Sequence, residues 1–211
     1  MVSMNSTASI STLKLLCFAD LHESLSGMRK LETMVRKEMP AVVVCAGDYT
    51  VFEQHIEQMM NWLQKLPVPV LLIHGNHEEE AVVRTMCKSR HNITFLHKKL
   101  VMKDGVLFVG YGGGGFEHKD PEFERFAKDH EDKIKSAEKV VLVTHGPPHG
   151  TKLDHIWGDS VGNKSYAAFL KQHKNAVLGV SGHIHETAGK QDMIGTATVI
   201  NPGPQGKVIV I

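Results

Sequence analysis

At residues 13–22 the chain reads LKLLCFADLH, a mostly apolar run followed at once by an acid and, two positions later, by a histidine. A continuous apolar run of this length is typical of a strand that is buried on both faces. In α/β proteins, ligands bind in the loops that follow the carboxyl ends of such strands. Asp20 and His22 are therefore candidate site residues.

The same pattern recurs four more times along the chain. In each case a run of apolar or β-branched residues leads into a short segment that contains an acid, an amide or a histidine. The four segments are Gly47-Asp48, Gly75-Asn76-His77, His145-Gly146 and Gly182-His183-Ile184-His185. With Asp20 and His22 they supply the carboxylate, amide and imidazole groups that divalent cations prefer as ligands. One segment would mean little, but five at predicted strand ends indicate a metal site.

The spacing within these segments favours shared ligation. Asp20 and His22 are two residues apart, as are His183 and His185. Residues i and i+2 of an extended segment point to the same side, so each pair can present two ligands to one pocket. The two carboxylate oxygens of Asp48 could bridge two cations, which makes Asp48 the natural shared ligand.

Length and composition narrow the class of protein. A chain of 211 residues predicts a single domain over residues 13–211, preceded by a flexible lead rich in Ser and Thr at residues 1–12. The formal net charge is +1, so we do not expect long nucleic acid as a partner. Three cysteines at wide spacing disfavour a disulfide framework, and Cys17 and Cys45 are predicted to be buried thiols. Without a signal peptide or a long apolar run, we expect a cytoplasmic protein that is not bound to a membrane.

Apolar periodicity predicts an α/β order. Strands over 13–19, 41–46 and 68–73 alternate with helices over 25–37 and 53–65 and with a third helix that Glu78-Glu79-Glu80 opens. This alternation implies parallel strands. Later elements are predicted at 91–96, 100–103, 106–111, 140–143 and 176–180 for strands, at 121–137 and 166–171 for helices, and at 196–200 and 207–211 for a closing β segment. Two sheets packed face to face with helices outside would accommodate this order.

Several other residues carry more than one interpretation. The four glycines at Gly112–Gly115, before Phe116, could bring backbone amides close to a phosphate or could form a flexible hairpin end. The loop at residues 149–163, which contains Trp157, could cover the pocket, form a dimer contact or be an ordinary surface connection. His74 is interpreted as a core residue or as a support for the site.

The order Asp-x-His, Gly-Asp, Gly-Asn-His, His and Gly-His-x-His resembles that of the calcineurin-like metallophosphoesterases over residues 20–201. The resemblance implies an α/β fold in four layers, an αββα sandwich of two mixed β-sheets flanked by helices. It implies catalytic roles for His77, close to the scissile phosphate, and for the bridging Asp48. It also implies two sets of metal ligands, namely Asp20, His22, Asp48 and His185 for one cation and Asp48, Asn76, His145 and His183 for the other.

The resemblance further implies a reaction. It implies hydrolysis of a small phosphodiester, or of a phosphomonoester, by in-line attack of a hydroxide that bridges two divalent metal ions. Thr144–Pro148, Gly150–Asp154 and Gly182–Glu186 are similar to the small phosphoesterases of bacteria and archaea, which favours a phosphodiesterase over a phosphatase. We favour manganese as the metal, with iron, zinc, nickel, cobalt and magnesium as alternatives.

The resemblance also bears on substrate, partners and alternatives. The substrate is expected to be a small phosphoester, with nucleotides among the candidates, and a homo-oligomer remains open. One alternative is a protein-binding scaffold that keeps the fold without the activity, but such a scaffold would be expected to lose a ligand, and none is missing here. The other alternative is a nuclease, which the near-neutral charge disfavours.

Overall fold

The computed structural model describes residues 12–211. The lead predicted to be flexible at residues 1–12 therefore lies, apart from Thr12, outside the described residues. In chain order the elements are β1 (Lys14–Phe18), α1 (Leu25–Glu38), β2 (Val42–Cys45), α2 (Ile56–Gln64), β3 (Val70–Leu72), α3 (Glu80–Cys87), β4 (Ile93–Phe95), β5 (Lys99–Lys103), β6 (Val106–Tyr111), α4 (Pro121–Asp129), α5 (Glu131–Ser136), β7 (Lys139–Thr144), β8 (His155–Ile156), β9 (Asp159–Ser160), α6 (Lys164–Gln172), β10 (Ala176–Val180), β11 (Gln191–Ile194), β12 (Ala197–Ile200) and β13 (Lys207–Val210).

Two large mixed sheets form the centre of the fold, as the resemblance implies. The first has the order β13-β1-β2-β3-β4, in which only β13 is antiparallel to its neighbour. The second has the order β11-β12-β10-β7-β6-β5, with a parallel centre and an antiparallel strand at each edge. β8 and β9 form a separate two-stranded hairpin.

Three apolar layers hold the sheets and helices together, which explains the continuous apolar runs in the sequence. Leu16 and Phe18 of β1 pack with α1 and α2 on the outer face of the first sheet. Leu15 and Cys17, which point the other way, pack between the two sheets. A third cluster joins the second sheet to α4, α5 and α6. The result is the predicted αββα sandwich.

Helix boundaries depart from the predictions where local backbone conformation intervenes. α1 fits its prediction: the Ser24 hydroxyl accepts a bond from Gly27 N at 3.2 Å, and Met39 ends the helix with a φ of 47°. α2 begins at Ile56, not at residue 53, because Phe52, Glu53 and His55 have positive φ. The helix predicted over 121–137 is split into α4 and α5 at His130, whose φ of −113° is not helical.

The closing β segment is divided between the sheets. β12 pairs with β10 in the second sheet, whereas β13 pairs with β1 in the first. The segment between them therefore carries the chain from one sheet to the other. β11 and the β8–β9 hairpin were not predicted from the sequence. β8 and β9 have two residues each, too few to show a periodic pattern.

The cysteines and the helices bear on the predictions about thiols and membranes. Cys17, Cys45 and Cys87 are buried free thiols, and burial raises the pKa of Cys17 to about 12. None of the helices formed by residues 12–211 combines the length and the apolar character needed to cross a bilayer.

Candidate metal centre

The five segments predicted as site loops meet at one edge of the sandwich. The first sheet contributes the loops after β1, β2 and β3, and the second sheet contributes those after β7 and β10. The side chains brought together are Asp20, His22, Asp48, Asn76, His77, His145, His183 and His185. All eight predicted site residues therefore share one location, which neither sheet could build alone.

One group of ligand atoms consists of Asp20, His22 and His185, whose donor atoms lie within 4.8 Å of one another. The Nε2 atoms of His22 and His185 are 3.1 Å apart. His22 Nδ1 donates to the carbonyl of Thr50 at 3.0 Å, so in the neutral ring Nε2 carries the lone pair. That lone pair is directed at the centre of the group.

A second group consists of Asp48, His145 and His183, together with the amide oxygen of Asn76. His145 Nδ1 donates to the carbonyl of Ala46 at 2.8 Å, which leaves Nε2 free to coordinate. This Nε2 is 3.2 Å from Asp48 Oδ2 and 3.0 Å from Asn76 Oδ1. His183 Nδ1 is 2.8 Å from the same amide oxygen.

These two groups fit a pair of divalent cations. Asp20 Oδ2 is buried and has no hydrogen-bond partner among residues 12–211, which is costly unless a cation supplies one. In each group, imidazole nitrogens and carboxylate oxygens face one another across a few ångströms. Such a donor set of oxygen and nitrogen atoms is what first-row divalent metals prefer. Asp48 lies between the groups, as expected of a shared ligand.

The backbone around the site is close-packed and strained. A Cβ on Gly75 would collide with the carboxylate of Asp48, and one on Gly182 would lie 2.7 Å from Asp20 Oδ2. Asp20, Asp48 and His183 have φ values of 53°, 51° and 69°. This left-handed conformation costs each residue about 1–2 kcal/mol, and such strain clusters at functional sites.

The charges of Asp48 and His145 are coupled. Burial opposes ionisation of Asp48, but its hydrogen bond to His145 and the charge of His145 outweigh burial and lower the pKa of Asp48 to about 2. Burial alone would lower the pKa of His145. The contact with Asp48 outweighs burial and raises the pKa of His145 to about 9. Without a cation, the two side chains therefore form an ion pair at neutral pH. Burial lowers the pKa of His183 to about 4, so that ring is already neutral.

This ion pair predicts a pH dependence of metal uptake. His145 must lose its proton to bind a cation, because only the neutral ring has a free lone pair. Its pKa of about 9 means that the proton is present below pH 9 and must then be released. We expect the apparent Mn²⁺ affinity to rise by roughly tenfold per pH unit from pH 7 to pH 9 for this proton alone, and to level off above it.

Calorimetric titration of the metal-free protein with Mn²⁺, in two buffers with different ionisation enthalpies, measures the released proton directly. At pH 7.5 the heats in the two buffers should differ by at least the amount for one proton, with any excess coming from a metal-bound water. Identical heats would contradict the prediction.

His77 differs from the other histidines in its tautomer. Its Nδ1 accepts a hydrogen bond from the backbone N–H of Phe52 at 3.2 Å, so the neutral ring carries its proton on Nε2. That Nε2 lies 3.9 Å from Asp48 Oδ2 and faces the site. Phe52 also stacks on the ring, with the centroids 4.2 Å apart. Burial lowers the pKa of His77, which favours the neutral ring as a hydrogen-bond donor and not as a metal ligand.

Glu78 is a supporting residue that the sequence analysis missed. Its buried carboxylate accepts bonds from the backbone N–H groups of Asp48, Thr50 and Gly75 at 2.9–3.1 Å, and from the Thr50 hydroxyl at 2.8 Å. It therefore ties the loop after β2 to the loop after β3. The run of three glutamates predicts a helix that opens at Glu78, but α3 begins at Glu80. In a run of three glutamates, nothing in the sequence marks the first one as buried.

His74 is a core residue, as predicted, within a cluster that also contains Glu80 and His97. Gly112 N donates to His97 Nδ1 at 2.8 Å, so the neutral His97 ring carries its proton on Nε2, 3.2 Å from Glu80 Oε2. A protonated Nε2 cannot ligate a cation. Burial and the charge of His97 lower the pKa of His74 to about 3, which keeps it neutral. The cluster is a structural support behind the glycine loop.

The Gly112–Gly115 run is not a hairpin end. The hairpin of this region joins β5 to β6 at Asp104-Gly105, and the glycine run follows β6 and leads to α4. Gly113 N donates to the carbonyl of His74 at 2.9 Å. A Cβ on Gly115 would lie 3.5 Å from the His183 ring. That distance is an ordinary contact, whereas a Cβ on Gly112 or Gly113 would lie 2.6 or 2.9 Å from His74. Glycine is therefore needed where the run passes His74, and the run then continues beside His183.

Comparisons with known proteins agree with this geometry. The sequence profile of the calcineurin-like phosphoesterase family matches residues 13–187. The uncharacterized protein MJ1162 of Methanocaldococcus jannaschii is 29% identical over 208 residues, which cover 93% of this chain and 90% of that protein.

Two solved structures have similar folds. The protein TT1561 of Thermus thermophilus superimposes with a TM-score of 0.75 at 15% identity, over 95% of this chain and 99% of that one. A dimetal phosphatase from Danio rerio gives a TM-score of 0.65 at 12% identity, over 90% of this chain and 86% of that one. At these identities the likeness is one of fold.

Proposed function

Because this chain belongs to the calcineurin-like phosphoesterase family, we propose that it hydrolyses a small phosphodiester with the help of two divalent cations. The observation that carries the proposal is the pair of ligand groups that meet at Asp48, with Nε2 of His22 and of His145 left free to coordinate. A phosphodiester is favoured over a monoester by the sequence resemblance to small bacterial and archaeal phosphoesterases.

In this proposal Asp20, His22, Asp48 and His185 hold one cation, and Asp48, Asn76, His145 and His183 hold the other. The bound cations would supply Lewis acidity, which lowers the pKa of a water molecule and neutralises charge on phosphate oxygens. We favour manganese, since first-row metals all accept such a donor set. Three buried free thiols support a reducing, cytoplasmic compartment as part of the proposal.

The chain's own residues position and protect the reacting phosphate. His185 is 61% exposed in its side chain, whereas His145 is fully buried, so the centre is open to solvent on the His185 side. A phosphate that enters there meets the Nε2–H of His77. That N–H can donate a hydrogen bond to an oxygen on which negative charge grows in the transition state. Because the ring is neutral, this proton is shared in a hydrogen bond and not transferred to the leaving oxygen. Phe52 orients the ring through its N–H and its stacked side chain.

Replacing His77 with alanine should therefore lower turnover and leave metal content intact. We expect kcat to fall by about 10²–10³-fold, the range for loss of one hydrogen-bond donor to the transition state. The measurement is kcat together with metal stoichiometry by elemental analysis. His91→Ala, at an exposed histidine outside the site, is the control. A parallel loss of metal would show that His77 is a ligand or a folding residue.

The first test of the function compares two aryl esters. The purified protein is stripped of metal, reloaded with Mn²⁺ and assayed with bis-p-nitrophenyl phosphate and with p-nitrophenyl phosphate. Higher kcat/KM for the diester is the expected result. Preference for the monoester would make the protein a phosphatase, and no turnover with any of manganese, nickel, cobalt, zinc or magnesium would favour a protein-binding scaffold.

A further inference from the structure

A groove of about 500 Å³ opens beside the candidate metal centre, and nothing in the proposed chemistry accounts for its aromatic walls. His183 and His185 line one end of it, while Phe116 and Trp157 line it further out. Its volume falls within the range of about 300–1,000 Å³ that small-molecule sites occupy. We refer to it as the aromatic groove. Its interpretation rests on the proposed function, because the groove would hold the part of a phosphoester that extends away from the phosphate.

Phe116 links the groove to the metal centre. Its ring contacts that of His183 edge to face, with the centroids 4.6 Å apart, yet 60% of the residue remains exposed. It follows the glycine run that passes beside His183. A group attached to a phosphate at the metal centre, and directed along the groove, would therefore pass Phe116 first.

Trp157 is placed where the fold gains nothing from it. It is 96% exposed, and it is the first residue of the two-residue turn between β8 and β9. Its φ is 49° and that of Gly158 is 98°, as in a type I′ turn. Asn, Asp and Gly are the residues that favour the first position of this turn, and a bulky aromatic residue is strained there. An exposed tryptophan in a strained position points to a role in binding.

The remaining walls define the chemistry of the occupant. Ile156 and Val161 add apolar surface, and Asp159 and Glu186 add carboxylates. Neither Lys nor Arg is among the groove's lining residues in the described part of the chain. The groove would therefore repel a second phosphate. Its aromatic faces suit stacking with a flat ring, and its carboxylates can accept hydrogen bonds from amino groups on that ring.

We propose that the aromatic groove is a specificity subsite for a flat heteroaromatic ring of the nucleobase type, carried by the phosphoester bound at the metal centre. Trp157 is the specificity-determining residue, and Phe116 forms the inner wall. The cost of holding Trp157 in the turn is offset by stacking when substrate binds. The substrate is a single nucleotide unit and not a polymer, because the acidic rim would repel a neighbouring phosphate.

The test compares two ligands that differ only in the base. They are the phosphonate analogues of adenosine 5′-monophosphate and of ribose 5-phosphate, whose P–C bond resists hydrolysis. Calorimetric titration of the Mn²⁺-loaded protein should show the adenosine compound binding about tenfold more tightly, as expected for stacking of one base. Trp157→Asn should bring the ratio close to one without changing the affinity for the ribose compound.

The same variant has a second readout that a structural role would not produce. Asn-Gly is the preferred type I′ pair, so Trp157→Asn should raise the melting temperature by about 2–4 °C while it weakens binding. Met102→Ala, at a residue of β5 that is 58% exposed, is the matched control and should change neither quantity. A lower melting temperature in Trp157→Asn would mean that the tryptophan supports the fold, which would overturn the proposal.

Other outcomes would also overturn it. Equal affinity of the wild-type protein for the two phosphonates would exclude a base subsite. A change in molecular mass by light scattering, with the ligand ratio retained in Trp157→Asn, would assign the tryptophan to a contact between copies of this chain. Tighter binding of phosphocholine than of the adenosine compound, lost in the variant, would assign the groove to a cationic group. If the ligand ratio behaves as expected but neither aryl ester is hydrolysed, the subsite stands and the proposed reaction fails.

Discussion

Asp48→Ala should abolish phosphoester hydrolysis and remove bound metal from both ligand groups. Asp48 is the residue whose carboxylate is placed between the two groups, with Oδ2 3.2 Å from His145 Nε2 and Oδ1 accepting from His77 N at 3.0 Å. Its loss removes a ligand from each cation and also frees the backbone that carries His77. Since metal catalysis contributes several kcal/mol, we expect kcat/KM to fall by about 10⁴-fold or more.

The decisive measurement for Asp48→Ala is metal stoichiometry alongside kcat/KM for the aryl diester. Asp129→Ala, at an exposed carboxylate that ends α4, removes the same group outside the site and should retain both. If Asp48→Ala retained two cations per chain and most of its activity, Asp48 would not be the shared ligand.

Glu78→Ala should be the most destabilising single change at the site. It would leave four buried donors, from Asp48, Thr50 and Gly75, without their acceptor. Each unsatisfied donor costs about 1–3 kcal/mol. Burial raises the pKa of Glu78, and repulsion from the Asp48 carboxylate raises it further. The substitution removes both of these unfavourable effects, which offsets part of that loss. We expect a net loss of about 3 kcal/mol in the free energy of unfolding and a melting temperature about 6–12 °C lower.

Denaturation of the metal-free protein tests this expectation, because bound cations would add stability of their own. Glu79→Ala is the matched control, since Glu79 is the next residue and its side chain is exposed. An equal effect of the two substitutions would mean that Glu78 acts only through the start of α3. Glu78→Gln should be intermediate, because an amide keeps one acceptor but turns an N–H₂ group toward backbone donors.

The strands that carry the ligands could be predicted because they are buried on both faces. β1, β2, β3, β7 and β10 are continuous apolar runs, and each ends within one or two residues of its prediction. Elements whose ends depend on the conformation of a turn were harder to predict from the sequence. The start of α2 follows from the positive φ of His55, and no composition signal marks such a residue. The β8–β9 hairpin depends on a Trp-Gly turn, a pair that is not among the usual hairpin signals.

The candidate ligands could be predicted because they follow these buried strands. The residues that hold the ligands in place could not be predicted. Asp20, His22 and Asp48 stand directly after buried strands, where short polar segments are conspicuous. Glu78 and Phe52 act through hydrogen bonds to backbone groups that are distant in sequence. The packing of the loops decides which carboxylate is buried and which backbone N–H fixes the tautomer of a histidine. The local sequence pattern does not show either.

The candidate ligands come from loops of both sheets, and this has a mechanical consequence. Asp20, His22 and Asn76 are anchored to the first sheet, and His145, His183 and His185 to the second. Bound cations would therefore add a removable link between two layers that are otherwise joined at that edge by loops, apolar contact and a few polar contacts such as that of His145 Nδ1 with the carbonyl of Ala46. Removal of the cations by a chelator would weaken the contact between the two sheets first at the edge that carries the site. Slow amide exchange at the carboxyl ends of β1, β2, β7 and β10 would then depend on metal, while the opposite edge would stay protected.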